Sequence, residues 1–432
     1  MTVAVFVFSL LGAMAIGMPI AYALLICGLA LMSFMAATGA LPAFDSQILA
    51  QRFVDGADNF PLLAVPFFLL AGEFMNAGGL SRRIVNMAMA WVGHFRGGLG
   101  YVAVIAAVIM ASLSGSAVAD TAELSALLIP MMKRAGYQVN RSAGLIAAGG
   151  IIAPVIPPSI GLIIFGVAGN VSITKLFLAG IVPGILMGVA IGITWWWVAR
   201  RENVQPAPKV GMAERLKITA EGGFALALPV LILGGMKFGV FTPTEAAVVA
   251  AVYSFVVGMF IYRELKVGAL YQLVLSAGKT TAVVMFLVSA AMVSAWLITV
   301  ANIPTEVAKM LSPFMGNKIL LMFVIMVLIV VVGTALDFTP TVLILTPVLM
   351  PVVLKAGIDP VYFGVMFIMN NAIGLITPPV GTVLNVVCGV ARISMDDAFK
   401  GVMRFFLAEL AVLFLLVFFP EIVLVPLKWW MH

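Results

Sequence analysis

The sequence predicts an all-α polytopic membrane protein with inverted-topology repeats, about ten membrane crossings and two re-entrant helical hairpins. Three observations predict it. Of 432 residues, 63% are hydrophobic and only 10% charged, a balance foreign to soluble domains of this size. Two apolar blocks are about twice as long as a span and carry small, polar centres. The two halves of the chain also match at a fixed offset of 221 residues.

Taken in order, spans fall near 2–17, 19–37, 60–78, 140–169, 182–200, 219–237, 243–262, 270–300, 360–390 and 401–427. The first lacks a basic leading region and runs on into further apolar sequence, so it reads as a span rather than a cleaved signal. LSRRIVNMAMAWVGHFRG, at 80–97, alternates as an interfacial amphipathic helix does. The long blocks are 98–133, centred on SLSGSAVAD (112–120), and 317–357, centred on VGTALDFTP (332–340). Each is polar at both ends, so two helices meeting at a mid-depth tip describe it. Irregular backbone survives at that depth only where protein or a water-filled cavity shields it.

The repeat is carried by eight identities between 124–158 and 345–379. They are Leu124/Leu345, Leu128/Leu349, Pro130/Pro351, Ala135/Ala356, Gly136/Gly357, Ile152/Ile373, Pro157/Pro378 and Pro158/Pro379. The first copy spans 1–200, with hairpin 98–133, broken helix 140–169 and helix 182–200. A cytoplasmic linker follows at 201–218. The second copy spans 219–432, with hairpin 317–357, broken helix 360–390 and helix 401–427. With the N-terminus outside, 17 of the 24 Lys and Arg lie on cytoplasmic segments, Arg201 among them, and seven lie outside. Equivalent segments therefore run in opposite directions, and a secondary transporter with its site at the repeat interface is the architecture that uses this arrangement.

The breaks supply the chemistry. APVIPPSIG (153–161) and GLITPPVGT (374–382) place prolines within apolar helices, which removes backbone donors and leaves carbonyls without intrahelical partners. Free carbonyls and hydroxyls suit a small hard cation, and the helix start after each break suits a carboxylate. The tips offer the same groups: Ser112, Ser114, Gly115 and Ser116 in the first, Gly333, Thr334, Asp337 and Thr339 in the second. Asp120, with Glu123 at capping-box spacing, and Thr339, before Pro340, fit helix capping as well as ligation.

Other charges read as structural. FTPTEAA gives Thr242 as a helix cap with Glu245 as its capping-box acid. Glu73 anchors either a partner or the fold, Lys279 snorkels to the interface, and His94 lies on the amphipathic stretch. Cys27 and Cys388 sit in apolar surroundings and read as small buried side chains. No buried carboxylate pair is legible, which favours sodium over proton coupling. Scattered basic residues leave no nucleic-acid footprint. The absence of a GxxxxGK[ST] loop and of a histidine beside SGSAVAD excludes the corresponding ATPase and serine-nucleophile classes, so no enzyme activity is expected.

FFLLAGEFMNAGGLSRRIV, GGLGYVAVIAAVIMASLSGSAVADTAEL, IIAPVIPPSIG, FTPTEAA and TPVLMPVVLKAGIDPVYFGV followed by GLITPPVGTVLNV resemble the large permease subunit (DctM-like) of tripartite ATP-independent periplasmic (TRAP) transporters, over about residues 2–428. The resemblance implies sodium-coupled uptake of an organic acid across the bacterial inner membrane by an elevator-type fold. Hairpins and broken helices would move against scaffold helices 1–97 and 219–300. It implies two partners: a small four-helix membrane subunit and a periplasmic substrate-binding protein. It places sodium, the one ion or cofactor expected, at Ser112, Ser114, Gly115, Ser116 and Asp120 opposite Pro157 and Pro158. A second set is Gly333, Thr334, Asp337 and Thr339 opposite Thr377, Pro378 and Pro379. Substrate would lie between the tips, near Ser159, Asn170, Asn371 and Asn385. SGSAVADTAEL and 335–351 resemble the sugar-acid subgroup, such as that for 2,3-diketo-L-gulonate, more than the dicarboxylate subgroup, with sialic acid an alternative. A channel or exporter pore on the same repeats is the competing reading.

Overall fold

A computed structural model describes residues 2–40, 44–200, 204 and 206–431. Among them the secondary structure is helical throughout, with no strand. The first half comprises α1 (Thr2–Ala15), α2 (Ile20–Ala37), α3 (Ser46–Ala57), α4 (Ala64–Ala77, entered through a 3-10 turn at Phe60–Leu63), α5 (Leu80–Val92), α6 (Gly98–Ser114), α7 (Ala117–Arg134), α8 (Val139–Gly150), α9 (Ile160–Gly169) and α10 (Ile173–Ala199). The second comprises α11 (Met212–Lys237), α12 (Pro243–Val256, extended by a π turn at Val257–Ile261), α13 (Val267–Val300), α14 (Ile303–Leu311), α15 (Lys318–Ala335), α16 (Phe338–Lys355), α17 (Pro360–Gly374), α18 (Thr382–Ala391), α19 (Met395–Phe418) and α20 (Glu421–Met431).

The repeat extends well beyond the matching prolines. Shifted by about 221 residues, α1 falls on α11, α2 on α12, α5 on α14, and α6 to α10 on α15 to α19. The α3–α4 pair falls on α13, a single 34-residue helix. Pro61 and the Asp58–Asn59 turn interrupt the first copy, whereas 267–300 contains no proline. Packing is reciprocal. Helix α2 packs on α13 while α4 packs on α12; α8 packs on α19 while α10 packs on α17; α7 packs on α18 while α9 packs on α16. Each contact has its counterpart with the halves exchanged, as a two-fold relation between them requires.

Nine helical segments among the described residues are long and apolar enough to cross a membrane. Two, Lys318–Ala335 and Phe338–Lys355, are the arms of the second hairpin. The remainder, with α1 and the two broken helices, account for the expected ten crossings. The helix starts follow local rules: Ser116, Ser159, Ser172, Asn317, Asp359 and Ser394 each accept a backbone N–H of the first turn. Thr242 and Glu245 form the expected capping box, with Thr242 N–H donating to Glu245 Oε2 at 2.8 Å. The amphipathic stretch forms α5.

Several boundaries differ from expectation. The spans expected at 182–200, 219–237 and 270–300 begin earlier, at Ile173, Met212 and Val267. Ser172 caps the first of these, and the polar residues preceding each apolar window simply continue the helix. The expected linker 201–218 is thus cut short at Met212; residues 201–203 and 205, Arg201 among them, lie outside the described residues. The span expected at 401–427 divides at Phe419–Pro420 into α19 and α20, since proline cannot continue a helix it does not begin. Short helices α3 and α14 had no apolar signal long enough to announce them.

Candidate functional site

Both hairpins turn tightly. In the first, α6 ends at Ser114, Gly115 adopts φ 63° and Ser116 caps α7. Gly115 is required here on two counts. Its left-handed conformation disfavours side chains, and a Cβ would strike the Pro158 carbonyl oxygen and lie 3.1 Å from Ser159 Cα. The tip therefore rests on the break of α8–α9. Ser114 Oγ donates to Asp120 Oδ1, and Ser116 N–H donates to Ser114 Oγ at 3.1 Å. Asp120 is 2% exposed, and its Oδ2 has no hydrogen-bond partner.

In the second hairpin, Leu336 and Asp337 join α15 to α16. Gly333 approaches Gly374 of the second broken helix, where a Cβ would lie 3.0 Å from the Gly333 carbonyl oxygen. Asn371, 1% exposed, donates from Nδ2 to the Phe338 carbonyl at 2.7 Å, while its Oδ1 is buried without a partner. Thr382 Oγ1 donates to Asp337 Oδ1 at 3.4 Å.

The two tips meet at one cavity of about 160 Å³. Its walls are the first residues of four helices: Ser116–Val118 of α7, Ile160 and Gly161 of α9, Asp337–Thr339 at α16, and Thr382 of α18. Pro154 and Leu375 of the two breaks, Leu69 of α4, and Thr280 and Val284 of α13 complete it. Four helix starts facing one space present unpaired N–H groups and positive dipole ends to it, a setting for an anion. Asp337 and two buried, unpartnered oxygens, Asp120 Oδ2 and Asn371 Oδ1, lie within or just behind the tips. Oxygen donors left unmatched in low dielectric are the groups a hard cation satisfies.

The expected residues divide. Gly115, Ser116, Asp337 and Thr339 line the cavity. Ser114, Asp120, Gly333 and Asn371 stand behind the tips. Asp120 and Thr339 are not caps: Ser116 and Asp337 hold the N-cap positions, so Asp120 lies within the first turn and Thr339 within α16. Ser112 and Thr334 bond back to their own helices, to the carbonyls of Ile109 (2.6 Å) and Val331 (2.7 Å). Thr377 does likewise to Gly374 (2.7 Å), beside Pro378 in the second break. Ser159 caps α9 and donates to the Pro154 carbonyl at 2.5 Å, holding the first break, with Pro157, in shape. Asn385 is exposed and donates to the Val380 carbonyl at 2.8 Å. Asn170 lies elsewhere, as the left-handed cap ending α9, beside a separate cavity with Asn59, Ser172 and Thr242.

The sequence reading missed Thr382 and Phe338, because helix starts advertise themselves by position rather than residue type, and Thr280, which lies within α13 away from any break or tip. It also missed a carboxyl pair. Glu123, three residues from Asp120, has a buried Oε2 without a partner. The i,i+3 spacing had been absorbed into a capping box, so its weight in favouring sodium over protons falls away.

Comparison with known proteins agrees with this architecture. The family model of the tripartite ATP-independent periplasmic transporter, DctM component, matches residues 7–422. The chain is 58% identical to the 2,3-diketo-L-gulonate TRAP transporter large permease protein YiaN of Escherichia coli K12, over 99% of this chain and 100% of that one. It is 37% identical to the sialic acid permease SiaM of Vibrio cholerae (97% and 96% covered) and 36% identical to the C4-dicarboxylate permease DctM of Pseudomonas aeruginosa (88% and 89%). In fold it is similar to the Alcanivorax borkumensis YdaH transporter, described as having an unusual topology, with a TM-score of 0.65 at 16% identity, over 91% of this chain and 96% of that one. With inverted repeats, paired breaks and full-length similarity to these permeases, the chain belongs to the DctM family of TRAP transporter large permease proteins, multi-pass proteins of the bacterial inner membrane.

Proposed function

We propose that this chain is the transport subunit of a sodium-coupled importer of an organic acid of the sugar-acid class, working by an elevator mechanism. The observation that carries the reading is the single cavity where both hairpin tips and four helix starts converge. A carboxylate substrate accepts from those starts. The Asp337 carboxylate shares the cavity, so an anion entering it needs a cation in company, and the unpartnered oxygens of Asp120 and Asn371 supply places for one. Sodium is a co-substrate here, held by oxygen donors at the tips. Similarity to a 2,3-diketo-L-gulonate permease over the whole chain supports the sugar-acid class over sialic acid or a dicarboxylate.

In this reading the hairpins and broken helices, 98–169 and 317–390, move as a body against scaffold helices 1–97 and 219–300. Leu69, Thr280 and Val284 are the stationary wall of the cavity. A periplasmic binding protein delivers substrate, and a small four-helix membrane subunit widens the scaffold. One net positive charge moved across ~100 mV supplies ~2.3 kcal/mol. At ~1.4 kcal/mol per tenfold, that sustains roughly 50-fold accumulation, enough for a monoanion taken up with two or more sodium ions.

Reconstitution with the cognate small subunit and binding protein tests this. Saturable uptake of a sugar acid is expected, dependent on an inward sodium gradient and on the binding protein. Uptake indifferent to sodium, or equal without the binding protein, rejects the proposal in favour of a pore.

A further inference from the structure

At the end of the molecule where the basic residues gather, α5, α11 and the end of α12 enclose a cavity of about 470 Å³. Its walls divide by polarity. Arg83 of α5 and Lys217 and Glu221 of α11 supply charge, Phe224 and Ile261 supply apolar surface, and Tyr262 stands against Arg83 between them. The polar side is braced from behind. Arg83 donates to Glu264 at 2.7 Å, and its guanidinium lies 3.7 Å from the centre of the Tyr262 ring. Tyr262 Oη donates to the Glu221 carbonyl at 2.6 Å. Glu264 thus serves Arg83 and, at 3.9 Å, Arg82. Among the described residues, neither Lys217 nor Glu221 has an ion-pair partner, although they lie one turn apart on the same helix. The cavity therefore presents an ammonium and a carboxylate one turn apart that are not joined in an ion pair.

The apolar side opens onto exposed surface. Phe224 is 42% exposed and Ile261 44% exposed. Leu231, two turns deeper on α11, is exposed as well. A charged mouth above an apolar track, at the level where spans meet the cytoplasmic interface, has the polarity profile of a phospholipid.

We infer that this cavity holds the headgroup of phosphatidylethanolamine: Lys217 receives the phosphate, Glu221 receives the primary ammonium, and the acyl chains run along Phe224 and Leu231. The pairing selects among bilayer lipids. Phosphatidylglycerol brings a phosphate but sets no cation against Glu221. Phosphatidylcholine brings a cation with no N–H to donate to that carboxylate. The lipid bridges α5 and α11 at the cytoplasmic side.

The test is lipid retention. Protein reconstituted into equimolar phosphatidylethanolamine, phosphatidylglycerol and phosphatidylcholine is extracted into detergent, and co-purifying lipids are quantified by mass spectrometry. Wild-type protein is expected to retain phosphatidylethanolamine preferentially. Lys217→Gln with Glu221→Gln lowers that retention about tenfold, the loss of charge-assisted hydrogen bonds at a wet interface. Lys217→Arg, which keeps the cation, retains the lipid. Both side chains are exposed, so folding is unaffected and elution volume verifies it. Preference for phosphatidylglycerol, equal retention of all three lipids, or unchanged retention by the double variant overturns the assignment. None of these readouts depends on transport, so they stand or fall apart from the proposed uptake.

Discussion

Asp337 is the one carboxylate that lines the central cavity, and its role is separable from folding. It holds the N-cap position of α16 without a side-chain bond to that helix, and its carboxylate accepts from Thr382 Oγ1 at 3.4 Å. Asp337→Ala should therefore insert normally yet lose sodium-dependent uptake; wild-type uptake by that variant removes Asp337 from the ion site. Gly115 makes the opposite case, in which backbone decides. Gly115→Ala adds a Cβ against the Pro158 carbonyl at positive φ, a conformation that costs an ordinary residue about 1–2 kcal/mol before any clash. Both melting temperature and uptake should fall, because the tip can no longer seat on the break. A variant with unchanged uptake shows that tip and break need not touch.

At the scale of elements, function and stability part company. Thr242 and Glu245 close a capping box at the exposed start of α12, away from the tips. Thr242→Ala should cost about 1 kcal/mol of stability and leave transport intact, as thermal unfolding beside an uptake assay will show. The crossing of α8 and α19 is less forgiving. Gly401 lies against the Asn140 backbone, and Gly144 against the Gly401 and Val402 backbones, so the helices touch without intervening side chains. Gly401→Val should reduce the yield of folded protein sharply, by a destabilisation of at least ~2 kcal/mol, measurable as monodisperse protein recovered per unit of membrane. The α3–α4 pair and α13 show how the same unit tolerates asymmetry: one copy bends at Pro61 and the other runs straight over 34 residues.

For the molecule as a whole, reciprocal packing between halves brings two hairpins and two breaks to a common space. The proposed uptake of a monoanion with two or more sodium ions predicts that an inside-negative potential accelerates uptake; a valinomycin-imposed potassium gradient on the reconstituted system checks it, and voltage-independent uptake argues for electroneutral exchange. Much of this was legible beforehand. Apolar run length gave the spans, and matching Pro-Pro and Ala-Gly pairs the repeat, because each reports a local cost that no distant contact can waive. Less of the site was legible. Ser112 and Thr334 have the right chemistry at the right tips, yet each hydroxyl is spent on the carbonyl three residues earlier. Asn170 lies on a broken helix but at its far end, while Thr382 enters the cavity from the last position of the second break motif and Thr280 from one no motif marks. The sequence alone determined the membrane class, the doubled unit and the sites of interruption, since hydrocarbon accepts only backbone whose hydrogen bonds are met and proline prevents that wherever it falls. Only the tertiary structure decided which oxygens remain unmatched and which helix starts face one another, because those depend on how two distant halves pack and not on any residue's neighbours in the chain.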